Sequence, residues 1–207
     1  MKVLLINGSP NKKGCTYTAL EEISKTLNAE GVDTEIIYLG NGVIKDCIGC
    51  QVCKKTQKCT FDDDIVNEII EKAKNADGFI FGSPVYYAHP SGRLMSVMDR
   101  IFYAGGAAFA FKPAAAIVSA RRAGTTASLD VIMKHFTINK MPVVPSMYWN
   151  MVHGNTPEQV LEDKEGLQTM RILGKNMSWM LKCFELGKAN GVLPPQLEEK
   201  IRTNFIR

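Results

Sequence analysis

No Lys-Ser or Lys-Thr pair closes the glycine-containing loop near the amino terminus, and no G-x-G-x-x-G follows the first apolar run. A P-loop ATPase and a nicotinamide-binding Rossmann dehydrogenase therefore both lack their motif. A Gly-x-Ser-x-Gly elbow and a His-Glu-x-x-His helix are also missing, which removes the motif warrant for serine hydrolysis and for a zincin peptidase. No apolar run is long enough for a signal peptide or a membrane span, and the chain enters a strand directly at Met1-Lys2-Val3, so a cytoplasmic protein without a membrane partner is expected. Charge of either sign is scattered. The net value is +4 on 25 basic and 21 acidic side chains, without the concentrated basic footprint that reading nucleic acid requires. There is no internal repeat and no low-complexity linker. The 207 residues suit one core and are short for two, so residues 1–207 are expected to form a single domain.

What is present begins with a short apolar strand, Lys2 to Asn7, that runs into Gly8-Ser9-Pro10-Asn11-Lys12-Lys13-Gly14-Cys15-Thr16 and then into a helical pattern. Strand, small-residue loop and helix start, in that order, build a phosphate cradle in α/β proteins: backbone N–H groups, the hydroxyls of Ser9 and Thr16, and Gly14 where a Cβ would crowd the ligand. The alternative is a tight turn with a capping hydroxyl and no ligand.

Apolar β-branched runs recur at Val3 to Ile6, Thr34 to Leu39, Gly78 to Gly82 and Ala114 to Ser119, each followed by a turn and helical periodicity. Such alternation makes a parallel sheet covered on both faces. The periodicity predicts helices over Thr18 to Ala29, Asp63 to Asn75, Gly92 to Ile101, Thr126 to Asn139 and Gly166 to Ala189, and a fifth strand at Pro142 to Val144. Five strands with five helices give a three-layer sandwich with right-handed crossovers. Two stretches break the short-loop rule. Gly40 to Phe61 shows neither helix nor strand, and a connection so long is usually functional. Met147 to Lys164 is also irregular, and its Tyr148-Trp149-Asn150 and His153-Gly154 are placed to fold over a site near the strand ends.

Cys47, Cys50, Cys53 and Cys59 read C-x2-C-x2-C-x5-C inside the first long loop. Thiols at this spacing converge on one ion or cluster if the backbone curls around it. Thiolates suit an iron–sulfur cluster, with zinc as competitor; the close triplet leans toward [4Fe–4S], because zinc sites more often pair two separated C-x2-C units. Disulfide exchange between Cys50 and Cys53 and plain loop packing stay open as alternatives. Lys54, Lys55 and Lys58 lie among the thiols and favour thiolate over thiol. The simplest reading of Cys183, in the last helix, is a buried small apolar residue.

After the third strand comes Gly82-Ser83-Pro84-Val85-Tyr86-Tyr87-Ala88-His89-Pro90-Ser91-Gly92, which offers flat apolar walls and a restrained backbone to a planar ligand; the tyrosines filling a loop core is the alternative. The fourth strand ends in Arg121-Arg122-Ala123-Gly124-Thr125, where arginines beside a small turn bind a phosphate or neutralise an anionic ring. Asp62-Asp63-Asp64 read as caps of the following helix, and His135 as structural. Met141, Met147, Met151, Met170, Met177 and Met180 read as core or interface packing.

These residues carry a family likeness. The Gly-Ser-Pro loop, the compact cysteine motif after the second strand and the Ser-Pro-Val-Tyr loop after the third resemble the NAD(P)H-dependent FMN reductase branch of the flavodoxin-like proteins over residues 1 to 145, and more narrowly the iron–sulfur flavoproteins. The resemblance implies a flavodoxin-like three-layer sandwich with a five-stranded parallel sheet of order 2-1-3-4-5 and FMN at its carboxyl ends. Ser9, Asn11, Gly14, Cys15 and Thr16 would hold the phosphate. Pro84, Val85, Tyr86 and Tyr87 would border the isoalloxazine, and Arg121, Arg122, Gly124 and Thr125 would complete the pocket. Cys47, Cys50, Cys53 and Cys59 would ligate a [4Fe–4S] cluster near a flavin, with subunits paired as a homodimer or homotetramer. The extension from about residue 146 matches no motif of the family with a known role, and an intersubunit contact is expected of it. Electrons would pass from NAD(P)H through FMN to a quinone, a nitro or azo compound, another flavin or a redox partner. The alternative is an electron carrier that exchanges with ferredoxin and does not turn over NAD(P)H. A cofactor-free α/β domain is the third class.

Overall fold

The computed structural model describes residues 1–201 and 203. Its central strand, β1 (Lys2–Asn7), alternates between two apolar layers: Leu4 and Ile6 enter one core cluster, Val3 and Leu5 the other, all four with no exposed surface. Burial on both faces is the pattern of a central strand in a parallel sheet. The parallel neighbours of β1 are β2 (Asp33–Tyr38) and β3 (Gly78–Tyr86). β5 (Ala114–Ala120) follows β3 and β6 (Met151–His153) closes the far edge, so the order is β2-β1-β3-β5-β6; β4 (His89–Pro90) is a two-residue partner that turns back antiparallel on the end of β3. Counting the parallel strands alone, this is the expected 2-1-3-4-5.

Helices α3 (Val66–Lys74), α4 (Gly92–Gly105) and α5 (Thr125–Ile138) cover the first layer. Phe79, Phe81, Phe109 and Phe136 interlock there, with neighbouring rings 4.6 to 6.5 Å apart. Helices α1 (Cys15–Ala29) and α7 (Lys164–Ala189) cover the second. Truncating one of these packed side chains, such as Leu4→Ala, leaves a void on a rigid sheet and costs about 2–5 kcal/mol.

The fifth parallel strand departs from expectation. Pro142 to Val144 forms only one bridge, Val143 to Ala114, and the named strand is Met151–His153, inside the stretch expected to be irregular. Proline ends the first half: Pro145 has no N–H to continue the ladder, and the chain swings out through Met147, Tyr148 and Trp149, all exposed. Asn150 bridges the gap, its Nδ2 donating to Ala116 O at 3.0 Å and its carbonyl accepting from Val118 N at 3.0 Å. Tyr148 and Trp149 stack edge to face on this excursion, with ring centroids 4.8 Å apart.

A short α6 (Pro157–Glu162), capped by Thr156 Oγ1, also lies in that stretch, and a single turn, α2 (Cys53–Thr56), lies in the cysteine loop. Residues from 146 onward supply the edge strand and most of one helical layer, with Met170, Leu173 and Met177 fully buried. Cys183 is a correction. It is exposed, because α7 runs past the sheet and its buried stripe ends at Leu181.

Candidate functional site

Three loops converge on the carboxyl ends of the parallel strands. The first, from Gly8 to Gly14, is folded by short-range hydrogen bonds, two of them to side chains: Ser9 N donates to Asn7 Oδ1 at 3.1 Å, Asn11 N to Ser9 Oγ at 3.1 Å, and Gly14 N to Asn11 O at 3.2 Å. It delivers α1 without a side-chain cap and with no acidic residue in the first turn, so the amides there are free for an anion. Lys12 and Lys13 flank a cleft of about 520 Å³ that Asn11, Gly14, Tyr38, Asn41 and Asn155 also line. A Cβ on Gly14 would sit 2.9 Å from Asn11 Cβ, so any side chain there would push Asn11 out of the cradle. This arrangement fits a phosphate. Thr16 is 1% exposed and its hydroxyl bonds Ser119 Oγ at 2.8 Å, which ties the start of α1 to the end of β5. Cys15 Sγ lies 3.6 Å from Gly154 O and ties the end of β6 to the loop; burial, then the nearby Glu158, push its thiol pKa up.

The second loop is a hairpin. Val85 pairs with Pro90 and Tyr86 with His89, leaving Tyr87 and Ala88 as a two-residue turn at φ of +52° and +59°. Both are left-handed, as this turn demands, yet neither is glycine, so the tip holds strain of the kind found at functional loops. Ser83 Oγ accepts from Ser91 N at 2.8 Å and Ser91 Oγ donates to Gly8 O at 2.9 Å, which fastens the hairpin to the phosphate loop. Tyr86 is half exposed and Tyr87 fully exposed, so the tyrosines do not fill a loop core; they present aromatic surface.

The third loop follows β5. Gly124, at φ +88°, packs on the hairpin tip, with Val85 and Ala88 against it. Thr125 is buried at the start of α5, and Arg121 and Arg122 are exposed, with no ion pair among the described residues. Their charge is available to an anion. Ser9, Asn11, Gly14, Cys15 and Thr16 thus lie on one side of the strand ends. Pro84, Val85, Tyr86 and Tyr87 lie with Gly124 and Thr125 on the other.

The cysteines gather in a separate cavity, against the later turns of α4. Cys47, Cys50, Cys53 and Cys59 line one cavity of about 540 Å³ with Asp99, Arg100 and Tyr103 of α4. Among the described residues, no three His, Cys, Asp or Glu side chains are arranged to hold a single metal ion. A zinc ion would need its sulfurs all about 2.3 Å from one centre. The backbone nevertheless curls as a cluster loop must: Gly49, Gln51 and Gln57 are left-handed, one between each successive pair of cysteines. The amides of Cys47 to Val52 donate to no group among the described residues. Alternating handedness of this kind makes concave, anion-receptive backbone. Four thiols in one cavity lined by free amides fit a multi-iron thiolate centre in donor set and charge. Burial, then Cys50, Cys47 and Cys59, raise the Cys53 thiol pKa.

Sequence reasoning missed the side chains that hold this loop. Arg100, 1% exposed, donates from Nε to Cys59 Sγ at 3.1 Å, reaches Lys45 O and Phe61 O, and makes a two-pronged ion pair with Asp64. Burial disfavours its charge, but Asp64 and Cys59 outweigh that and its pKa is raised. Asn67 takes Cys59 N at 2.9 Å and gives to Cys59 O at 3.0 Å. The signal was an arginine three residues after Val97 on the buried stripe of α4. Asp64 does accept from Val66 N at 3.1 Å, as a cap would, but its main partner is Arg100.

The fold and the comparisons agree. The chain superposes on RosB bound to a formylated riboflavin phosphate intermediate with a TM-score of 0.69 at 12% identity, covering all of this chain and 92% of that one. It superposes on an archaeal flavodoxin with a TM-score of 0.60 at 16% identity, covering 88% and 99%. It is 35% identical to an iron–sulfur flavoprotein of Methanocaldococcus jannaschii over 89% of this chain and 100% of the relative, and 27% identical to one of Methanosarcina thermophila over 89% and 97%. The profile described as NADPH-dependent FMN reductase matches residues 1–156. The chain belongs to the NADPH-dependent FMN reductase family of flavodoxin-like oxidoreductases.

Proposed function

We propose that the protein holds FMN at the strand ends and passes electrons from NAD(P)H to a small acceptor, a quinone, a nitro or azo compound, another flavin or a redox protein. The observation that carries this reading is the uncapped start of α1 behind Gly14, facing the strained hairpin across the strand ends. Bound FMN supplies the hydride and electron chemistry. The chain's part is positioning. The Ser9 to Thr16 loop holds the phosphate through its amides, with Lys12 and Lys13 beside it. Pro84 to Tyr87 border the ring and keep water from one edge. Arg121, Arg122, Gly124 and Thr125 close the pocket and set positive charge where the reduced ring is anionic. The open aromatic surface of Tyr87 leaves room for a nicotinamide or a flat acceptor to stack.

The cysteine cavity favours a second reading, an electron carrier that exchanges with ferredoxin. Cys47, Cys50, Cys53 and Cys59 would hold a [4Fe–4S] cluster, which supplies single-electron steps. The exposed Lys54, Lys55 and Lys58 on the same loop suit an acidic redox protein. We assign a homodimer or homotetramer in the cytoplasm. Exposed Trp179, Leu186, Val192 and Leu193 offer apolar area to a second copy, and no helix among the described residues is long and apolar enough to cross a membrane.

The test is anaerobic purification, then an absorption spectrum with iron and acid-labile sulfide assays, followed by turnover with NADH, NADPH and reduced ferredoxin. Flavin bands with NAD(P)H turnover support the first reading. Flavin plus about four irons per chain, reduced by ferredoxin alone, favours the second. A chain that binds no FMN when supplied with it overturns both.

A further inference from the structure

Arg100 has five N–H donors, and the structure gives each one an acceptor. Nη1 serves Lys45 O at 3.0 Å and Asp64 Oδ2; Nη2 serves Phe61 O at 3.2 Å and Asp64 Oδ1 at 3.1 Å. The two carboxylate bonds fix the plane of the fork, and the remaining donor, Nε–H, points at Cys59 Sγ, 3.1 Å away. A neutral thiol is a weak acceptor, a poor partner for a buried guanidinium. A thiolate bound to metal is a strong one, and charge-assisted bonds are roughly twice as strong as neutral ones. Asn67 grips the Cys59 backbone through both its N–H and its carbonyl, so the residue that carries the sulfur is anchored beside Arg100. A merely structural arginine would need only Asp64 and the two carbonyls. The fifth bond is aimed at the group that a metal centre would charge.

We propose that Arg100 is a positioning residue whose Nε–H bond to Cys59 Sγ stabilises the more negatively charged state of an iron–sulfur centre held by the four cysteines, and so raises its reduction potential. This rests on the reading that the cysteines carry such a centre. The couple takes up one electron, the one that reduced flavin or ferredoxin gives up, and the added negative charge spreads onto the sulfurs, where hydrogen bonds set the potential. No proton leaves Arg100. Asp64 holds the fork and opposes its field. Charge at Asp64 and at Arg100 therefore acts on the potential with opposite signs.

The experiment measures the midpoint potential of the reconstituted centre by EPR-monitored redox titration in the wild type, Arg100→Lys and Asp64→Asn, after iron and sulfide counts on each. Arg100→Lys is expected to lower the potential by a tenfold change in the reduction equilibrium, about 59 mV for one electron, and Asp64→Asn to raise it. Because either variant can fail to fold, the wild type labelled with 15N-arginine is also examined by pulsed EPR in the reduced state, where the Nε nucleus should couple to the centre. Reconstituted wild type without iron and sulfide overturns the cluster reading itself. An intact centre with no arginine nitrogen coupling, or potentials that stay put in the variants, overturns the role of Arg100 and leaves the cluster reading standing.

Discussion

Gly124 approaches Ala88 so closely that a Cβ on the glycine would lie 2.4 Å from the alanine Cα. The loop after β5 and the hairpin after β3 are thereby locked into one wall. Gly124→Ala forces them apart and also places a side chain at φ +88°, so we expect a stability loss of about 1–3 kcal/mol by urea denaturation and weaker FMN binding. Adding Ala88→Gly relieves the clash with the alanine methyl, at 2.8 Å, but not the clash with the backbone behind it. The double variant should recover only part of the loss. Full recovery would mean that the close approach of the two backbones does not hold the wall.

Gly14→Asp probes the phosphate cradle. Its backbone, at φ −88°, accepts any residue, so the effect is local: the carboxylate would cap the free amides of α1 in place of a ligand, and its Cβ would press on Asn11. FMN affinity, read by fluorescence quenching, should fall at least tenfold, about 1.4 kcal/mol, while the thermal transition of the cofactor-free protein moves little. Unchanged affinity would place the phosphate elsewhere.

The layers, the strand order and the loops at the strand ends were legible because they rest on local signals: β-branched runs, glycine and proline punctuation, and periodicity. The edge strand was not. Its two halves straddle Pro145, and the join depends on Asn150 reaching Ala116 across the sheet, a bond no window around Pro142 contains. The cysteines were legible as a spacing, but the residues that hold the loop were not, since Arg100 is 41 positions from Cys59 and is placed by helix packing. Thr16 shows the same limit, since its hydroxyl bonds Ser119, 103 residues away, a pairing that only the sheet brings about.

Asp64→Asn should be costly to stability. Arg100 is buried, and taking away the charge of its partner leaves an uncompensated guanidinium, for which about 3–5 kcal/mol is typical. Replacing both residues by apolar ones of similar volume should restore much of that, because neither charge then needs a partner. Denaturation midpoints of the single and double variants decide it. A mild single variant would show that water reaches Arg100.

Glu35 on β2 stands between Lys2 of β1, 2.5 Å away, and Lys72 of α3, 2.7 Å away. The bond from Lys2 and then that from Lys72 hold its pKa below the usual value. The folded chain therefore binds fewer protons at this site than the unfolded one, and the pair's contribution is present above the unfolded pKa of about 4.3 and lost as pH falls through the lower folded value. All three side chains are partly exposed, so solvent screening limits the effect. Glu35→Gln should cost about 0.5–1 kcal/mol at pH 7, and the two denaturation curves should converge in acid.

Exposure and burial together order the thiols for alkylation. Cys50 and Cys183 are exposed, while Cys15 is partly buried with its pKa pushed up, which leaves little thiolate near neutral pH. In metal-free protein, iodoacetamide followed by peptide mass analysis should mark Cys183 and Cys50 early and Cys15 late. Reconstitution with iron and sulfide should then protect Cys50 and leave Cys183 as reactive as before, because a metal-bound thiolate is no longer a free nucleophile whereas α7 carries Cys183 beyond the core. Protection of Cys183 as well would indicate that the outer end of α7 is covered by another subunit. If Cys50 stayed reactive in a chain with its full complement of iron, the centre would be held by other ligands and the cavity assignment would fall.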